Sequence, residues 1–244
     1  MQNSLLTRRL VLTGATASAG LGLAGCVTNS PTASPGFQAN VPAQAATKSS
    51  ALEDAPSGHY GPLTGEPFPV PGIKLAQIDP AFLRREVDYA TAETPGTIVV
   101  DPAHHYLYFV EAGGKAMRYG VGVGREGFGW AGEATINSKQ EWPDWYPPKE
   151  MLERQPDLKA KMAQLQSGIG MHGGSGNPLG ARAMYLWQGK VDTLFRIHGT
   201  LEPWTIGKSV SSGCIRMINQ DVIDLYQRTP VGTRVVVLGR AKVS

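Results

Sequence analysis

Two short segments of this 244-residue chain carry residues that can do chemistry: His198-Gly199-Thr200 and Ser211-Ser212-Gly213-Cys214-Ile215-Arg216-Met217. The histidine and the cysteine stand sixteen residues apart, each among small residues and each behind a strand-like stretch. A cysteine attacks as its thiolate, so a nucleophilic Cys214 needs a base within reach of the sulfur, and His198 supplies one. The competing reading is a buried structural cysteine beside a packed strand histidine, because free cysteine is among the most buried residue types. Ser211-Ser212-Gly213 lets the backbone turn closely and exposes the side chain that follows. Backbone N–H groups around Gly213 and Cys214 are then candidates to meet a developing oxyanion. Arg216 is either a fork for a substrate carboxylate or one half of a structural ion pair. Thr200 and Ser211 either orient His198 and substrate by hydrogen bonding or only form their loops.

The chain has two cysteines, Cys26 and Cys214. Its first 25 residues read as an export signal. They hold a twin-arginine-like Thr7-Arg8-Arg9-Leu10 and then a weakly apolar run to Leu23, too short to span a bilayer. Leu23-Ala24-Gly25-Cys26 resembles a bacterial lipobox, which would make Cys26 a lipidated first residue and a membrane anchor. The alternative is an ordinary signal peptide with an incidental cysteine. Lipidation of Cys26 leaves Cys214 with no intramolecular partner in an oxidising compartment, where a lone thiol is either buried or used. Without Arg8 and Arg9 the 23 basic and 20 acidic residues come close to balance. No Lys/Arg run occurs, so nucleic acid is excluded as a partner. His59, His104 and His105 have no metal-ligand spacing. The glycines from Gly120 to Gly129 are followed by neither a helix pattern nor Gly-Lys-Ser/Thr, which argues for a bend or bulge rather than a phosphate loop. Neither a metal nor a cofactor is expected.

These residues need a scaffold. Residues 27 to about 70, rich in Ser, Thr, Pro, Ala and Gly, read as a tether, with Phe68–Ile78 as a stretch able to pack on the domain. Pro80–Ala90 reads as a short helix, and the folded domain as starting near Pro95. Strands are expected at 97–101, 106–111, 116–123, 134–139, 184–187, 194–197 and 233–238. Pro148–Leu165 reads as a helix broken at Pro156. Asn219–Arg228 reads as a second helix with Asn219 as its cap. The fold class is mainly β, a sandwich or barrel-like domain with a few short helices.

Arg196-Ile197-His198-Gly199-Thr200 and Val210-Ser211-Ser212-Gly213-Cys214-Ile215-Arg216-Met217 together resemble the signature of the YkuD-type L,D-transpeptidases. Gly176-Asn177-Pro178-Leu179-Gly180-Ala181-Arg182-Ala183-Met184-Tyr185-Leu186, Val121-Gly122-Val123-Gly124-Arg125 and Trp145-Tyr146-Pro147-Pro148 fit the same pattern. The resemblance spans 96–239 as the catalytic domain, so the chain reads as three parts: a signal over 1–25, a tether and N-terminal extension over 26–95, and that domain. It implies a β catalytic domain acting on peptidoglycan stem peptides, with Cys214 as nucleophile and His198 as general base and acid. The thiolate would attack the carbonyl of the third stem residue, usually meso-diaminopimelate, and expel D-alanine. A side-chain amine would then resolve the acyl-enzyme into a 3→3 cross-link. Related acceptors are an outer-membrane protein or water. One position departs from the pattern: the family motif commonly reads Ser-His-Gly-Cys, and here residue 212 is serine. Ser212 would offer a weaker, neutral hydrogen bond in place of that imidazole. If the motif histidine were the essential base, the chain would be a silent wall-binding lipoprotein.

Overall fold

The computed structural model describes residues 57–125 and 129–239. The export segment, Cys26 and the first part of the tether lie outside them. In chain order the strands are β1 (Arg85–Asp88), β2 (Ile98–Asp101), β3 (Tyr106–Glu111), β4 (Lys115–Gly120), β5 (Val123–Gly124), β6 (Gly132–Glu141), β7 (Ala163–Leu165), β8 (Gly168–Gly170), β9 (Arg182–Gln188), β10 (Val191–His198), β11 (Ser209–Ser211), β12 (Ile215–Arg216) and β13 (Arg234–Val237). The α-helices are α1 (Lys149–Arg154) and α2 (Asn219–Arg228). The fold is mainly β, as the sequence indicates.

Nine strands form one mixed sheet in the order β1-β4-β3-β2-β13-β6-β9-β10-β12, with β1 and β12 at its two ends. Two small sheets, β11-β5 and β7-β8, sit outside it. The meander β2-β3-β4 and the hairpin β9-β10 are antiparallel, whereas β13 runs parallel to β2 and β12 parallel to β10. Parallel neighbours cannot be joined by a tight turn and need a crossover of about a dozen residues or more. That requirement accounts for the spacing between His198 and Cys214, since the chain must travel out and back before β12 can lie beside β10. The apolar residues of the sheet converge on one core that includes Ile98, Val100, Leu107, Ile136, Ile197 and Ile215. Helix α2 adds Val222 and Leu225 to it.

Residues 57–83 form an arm that packs on the domain. Tyr60, Val70, Ile78 and Leu83 are all buried, each contributing roughly 1.5–3 kcal/mol of transfer free energy. The packed region therefore begins upstream of the expected Phe68, and the ordered body upstream of Pro95. Pro80–Ala90 is not a helix. Pro80–Phe82 makes a single 3-10 turn capped by the Asp79 carboxylate, which accepts from the Ala81 N–H. The chain then extends as β1, because pairing Arg85–Asp88 with β4 satisfies backbone groups that a lone helical turn would leave open. Pro148–Leu165 breaks at Pro156 as expected: α1 ends before it, and Pro156–Lys161 is 3-10. Its last residues, however, become β7, paired with β8. Among the described residues no helix is long and apolar enough to cross a membrane.

Candidate active site

The site is built on the parallel pair β10/β12, in which Ile197 faces Ile215 and His198 faces Arg216. Side chains alternate along a strand, so Ile197 and Ile215 enter the core while His198 and Arg216 turn to the other face. Cys214, one residue before Ile215, falls by the same alternation on the face of His198. Its thiol accepts from the backbone N–H of Arg196, two residues before the histidine. On its far edge β12 exchanges hydrogen bonds with Gly122, at 2.9 and 2.8 Å. Strand β5 runs beside β11. The glycine-rich segment thus closes against the loop that carries the cysteine.

His198 is buried, and its Nδ1 lies 2.6 Å from the Gly199 carbonyl oxygen. A carbonyl only accepts, so Nδ1 carries the hydrogen and Nε2 is left to take a proton. Burial holds the imidazole pKa down to about 4, with the Arg216 charge adding to the depression. The Gly199 and Leu179 carbonyls oppose it. The histidine is therefore neutral at pH 7. Burial pushes the Cys214 thiol up, opposed by the Arg196 N–H and by the charges of Arg196 and Arg216. Cys214 itself is half-buried. Burial thus favours the uncharged form of both groups, thiol and neutral imidazole.

The supporting residues divide sharply. Ser211 Oγ accepts from the Gly213 N–H at 3.1 Å and donates to the Cys214 carbonyl at 2.6 Å. Ser211 is thus a loop former, and the Gly213 amide expected to meet an oxyanion is already committed to it. Gly213 has a φ of 123°, a conformation that a Cβ would strain. Ser212 is exposed. Thr200 also holds its own loop, its Oγ1 accepting from the Glu202 N–H at 3.0 Å. Arg216 pairs with Glu202 at 3.0 Å, at a partly exposed position. His172 is exposed, 3.6 Å from Asp144. Trp204, 49% exposed, lines a cavity of about 350 Å³ that also touches Thr200 and Asn219.

Sequence reasoning missed several residues. Asn219 is not the cap of α2, because Ile218 takes that position and makes no side-chain capping bond. The Asn219 amide instead accepts from the Ala181 N–H at 3.0 Å and donates to the Thr200 carbonyl at 3.1 Å, tying the residue before β9 to the segment that follows His198. A Cβ on Gly199 would lie 2.1 Å from its Oδ1, so only glycine fits there. Asn177 is buried and reaches the Pro143, Met171 and His172 carbonyls within 3.1 Å. An asparagine between glycines and prolines signals a turn, but nothing local names such distant partners. Arg196, quoted only as motif, lends its backbone and its charge to Cys214 while its guanidinium pairs with Asp192 at 2.9 Å. Among the described residues no group of His, Cys, Asp and Glu is placed to hold a metal ion.

A thiol and a buried neutral imidazole on one face of a parallel strand pair define a candidate cysteine-nucleophile site in a mixed β-sheet domain. Residues 95–237 match the YkuD family model, the L,D-transpeptidase catalytic domain, and the chain belongs to that family. A probable L,D-transpeptidase ErfK/SrfK of Escherichia coli K12 is 33% identical over 148 residues, which cover 58% of this chain and 43% of that protein. A putative L,D-transpeptidase of Fuscovulum blasticum is 40% identical over 108 residues, covering 44% of this chain and 49% of that protein. The chain thus spans less than half the length of these curated relatives. A Brucella melitensis crystal structure described as a probable carnitine operon oxidoreductase caia is 53% identical. It covers 68% of this chain and 99% of its own, with a TM-score of 0.44.

Proposed function

We propose that this chain is a peptidoglycan L,D-transpeptidase that works through an acyl-enzyme on Cys214. The observation that carries the reading is the shared face of His198 and Cys214 within the family's catalytic domain. His198 Nε2 takes the thiol proton as the sulfur attacks the carbonyl carbon of the third stem residue. The oxyanion forms beside the turn at Gly213, where the Cys214 amide remains as its donor now that Ser211 occupies the other. The tetrahedral species collapses with cleavage of the C–N bond, and the imidazolium protonates the departing D-alanine amine. A second stem peptide's amine then attacks the thioester to give a 3→3 cross-link and restore the thiol. Export and lipid anchoring through Cys26 belong to the same proposal, placing the domain on the periplasmic side of the envelope and leaving a stem peptide or an outer-membrane protein as acceptor.

Intact-protein mass after exposure to a carbapenem tests the reading. A single covalent adduct is expected, mapping to Cys214 and lost in Cys214→Ala. A folded wild-type protein that gains no mass would refute it.

A further inference from the structure

Strand β10 does not run straight into the site. Between Asp192 and Arg196 its register against β9 slips, four steps on β10 matching two on β9. The extra residues form a bulge with its own hydrogen bonds. Thr193 Oγ1 donates to the Leu186 carbonyl at 2.6 Å and accepts from the Phe195 N–H at 3.2 Å. The Leu194 N–H donates to Asp192 Oδ1 at 2.9 Å. Leu194 sits at a φ of 63°, in the left-handed region that a leucine enters only at a cost in free energy. Its side chain is 74% exposed, so packing does not offset that strain.

The bulge makes a contact that a flat strand cannot. Residues four apart in an extended strand are separated by about 13 Å. Here the two terminal guanidinium nitrogens of Arg196 each donate to an Asp192 carboxylate oxygen at 2.9 Å, and the guanidinium carbon lies 4.5 Å from the centre of the Tyr185 ring. Arg196 is thus clamped from two sides. It is also the residue opposite Cys214, one step back from the Ile197–Ile215 pair. The His198 carbonyl accepts from the Met217 N–H at 2.8 Å, so β10 residues of that parity, Arg196 among them, turn their backbone groups toward β12. In a continued ladder the Arg196 N–H would meet a backbone carbonyl. The chain turns at Gly213 instead, and the N–H goes to the Cys214 sulfur. The other charge acting on that thiol, Arg216, is paired with Glu202.

Resting on the transpeptidase reading, we infer that the Arg196 N–H is a catalytic donor to the Cys214 sulfur, and that Asp192 is a positioning residue whose clamp on the Arg196 side chain keeps that donor aimed. Bulges beside active sites commonly re-aim a residue in this way. In acylation the S–H bond breaks, its proton passes to His198 Nε2, and the sulfur electron pair makes the C–S bond. The Arg196 N–H donates to the sulfur throughout and transfers nothing. When the thioester opens, the C–S bond breaks, its electron pair returns to sulfur, and the same N–H meets the departing thiolate.

The test reads the ionisation of Cys214 as the pH dependence of its alkylation by iodoacetamide in the purified chain, with the modified peptide identified by mass and folding checked by circular dichroism. Asp192→Asn decides the matter by sign. If Arg196 acted through charge alone, loss of its counter-ion would strengthen the cation and move the midpoint down. A clamp that aims the N–H gives the opposite: a rise of about half a pH unit, or about threefold less thiolate at fixed pH. Arg196→Gln removes clamp and charge together and should raise the midpoint by about one unit, or about tenfold. Arg196→Lys keeps the charge without the planar fork and should leave the midpoint above that of wild type. A midpoint unmoved or lowered in folded Asp192→Asn, or a wild-type profile in Arg196→Lys, would overturn the inference. Alkylation needs no stem peptide, so the two readings fail separately. Wild-type protein that alkylates at Cys214 but takes no carbapenem would overturn the transpeptidase reading, while the Asp192→Asn shift would still decide whether the clamp holds the donor on the sulfur.

Discussion

The strand pair that carries His198 and Cys214 and the arm over residues 57–83 are fixed to the same body by different forces. On β10/β12 the backbone ladder sets the register, and once Ile197 and Ile215 enter the core the two functional side chains have no freedom of face. The arm has almost no ladder of its own, only the isolated bridge between Leu63 and Val70. It is held by side chains: Glu66 on Arg182, Tyr60 on fully buried Asp221 at 3.2 Å, and, just past its end, Arg84 on Asp221 and Asp224 at 3.7 and 2.9 Å. Periodicity encodes the first kind of attachment and identity at single positions encodes the second. A one-residue change can therefore undo the arm while leaving the sheet intact, whereas the face that carries His198 and Cys214 is lost only if the core pattern is lost.

The sharpest separation of the two regions is at the chemistry. His198→Ala should slow acylation of Cys214 by about 10²- to 10⁴-fold, the range for a positioned acid–base group, in protein that circular dichroism shows to be folded. An unchanged rate in stopped-flow mass spectrometry would remove His198 as the base. The arm should show the converse. Glu66→Ala leaves Arg182 buried without its bidentate partner, and breaking a buried pair from one side costs about 3–5 kcal/mol. Urea denaturation should show that loss, or an early transition if the arm detaches separately. A cost under about 1 kcal/mol would mean that the arm contributes little to holding the body.

The pH dependence of stability divides the regions next. Burial raises the Asp221 carboxyl from 3.8 to about 7, opposed by Arg84 and Tyr60. The folded state then holds a proton that the unfolded state has lost, so this contribution to stability disappears as pH rises from about 4 to about 7. His198, lowered from 6.5 to about 4, acts the other way: its contribution is present above about 6.5 and is lost as pH falls through about 4. In the wild type the two contributions therefore slope in opposite directions across this window. Asp221→Asn removes one of them, so the variant should gain stability steadily as pH rises from 4 to 7. A variant profile parallel to wild type would place the Asp221 titration elsewhere.

The smallest effect belongs to Arg216. Its pair with Glu202 is partly exposed, so Arg216→Ala should change stability by less than about 1 kcal/mol. Because its charge lowers both His198 and Cys214, removing it should move both titrations upward in a pH–rate profile of acylation. No shift would detach Arg216 from the site's electrostatics.

Most of the sheet was legible in the sequence. Runs such as Thr97–Asp101 and Tyr106–Glu111 read as strands because β-branched and aromatic residues cluster between turn signals, and β2 and β3 form there. Pro80–Ala90 misled because polar, helix-tolerant residues can also serve as an edge strand, and only the partner strand β4 decides between the two. Asn219 misled for a related reason. An asparagine before a helical pattern is a good cap, yet here Gly180 and Gly199 bring two backbone segments close enough to claim its amide.

The sequence by itself marked His198 and Cys214 as the candidate pair, with their sixteen-residue spacing and the strand-like runs around them. Those properties follow from neighbours along the chain. Only the tertiary structure decided that burial holds the histidine neutral, that Ser211 consumes the Gly213 amide, and that the arm walls a cavity together with Thr200 and Trp204. Each of these depends on burial or on contact between residues far apart in the chain, and desolvation and hydrogen bonding at such contacts exist only once the chain has folded.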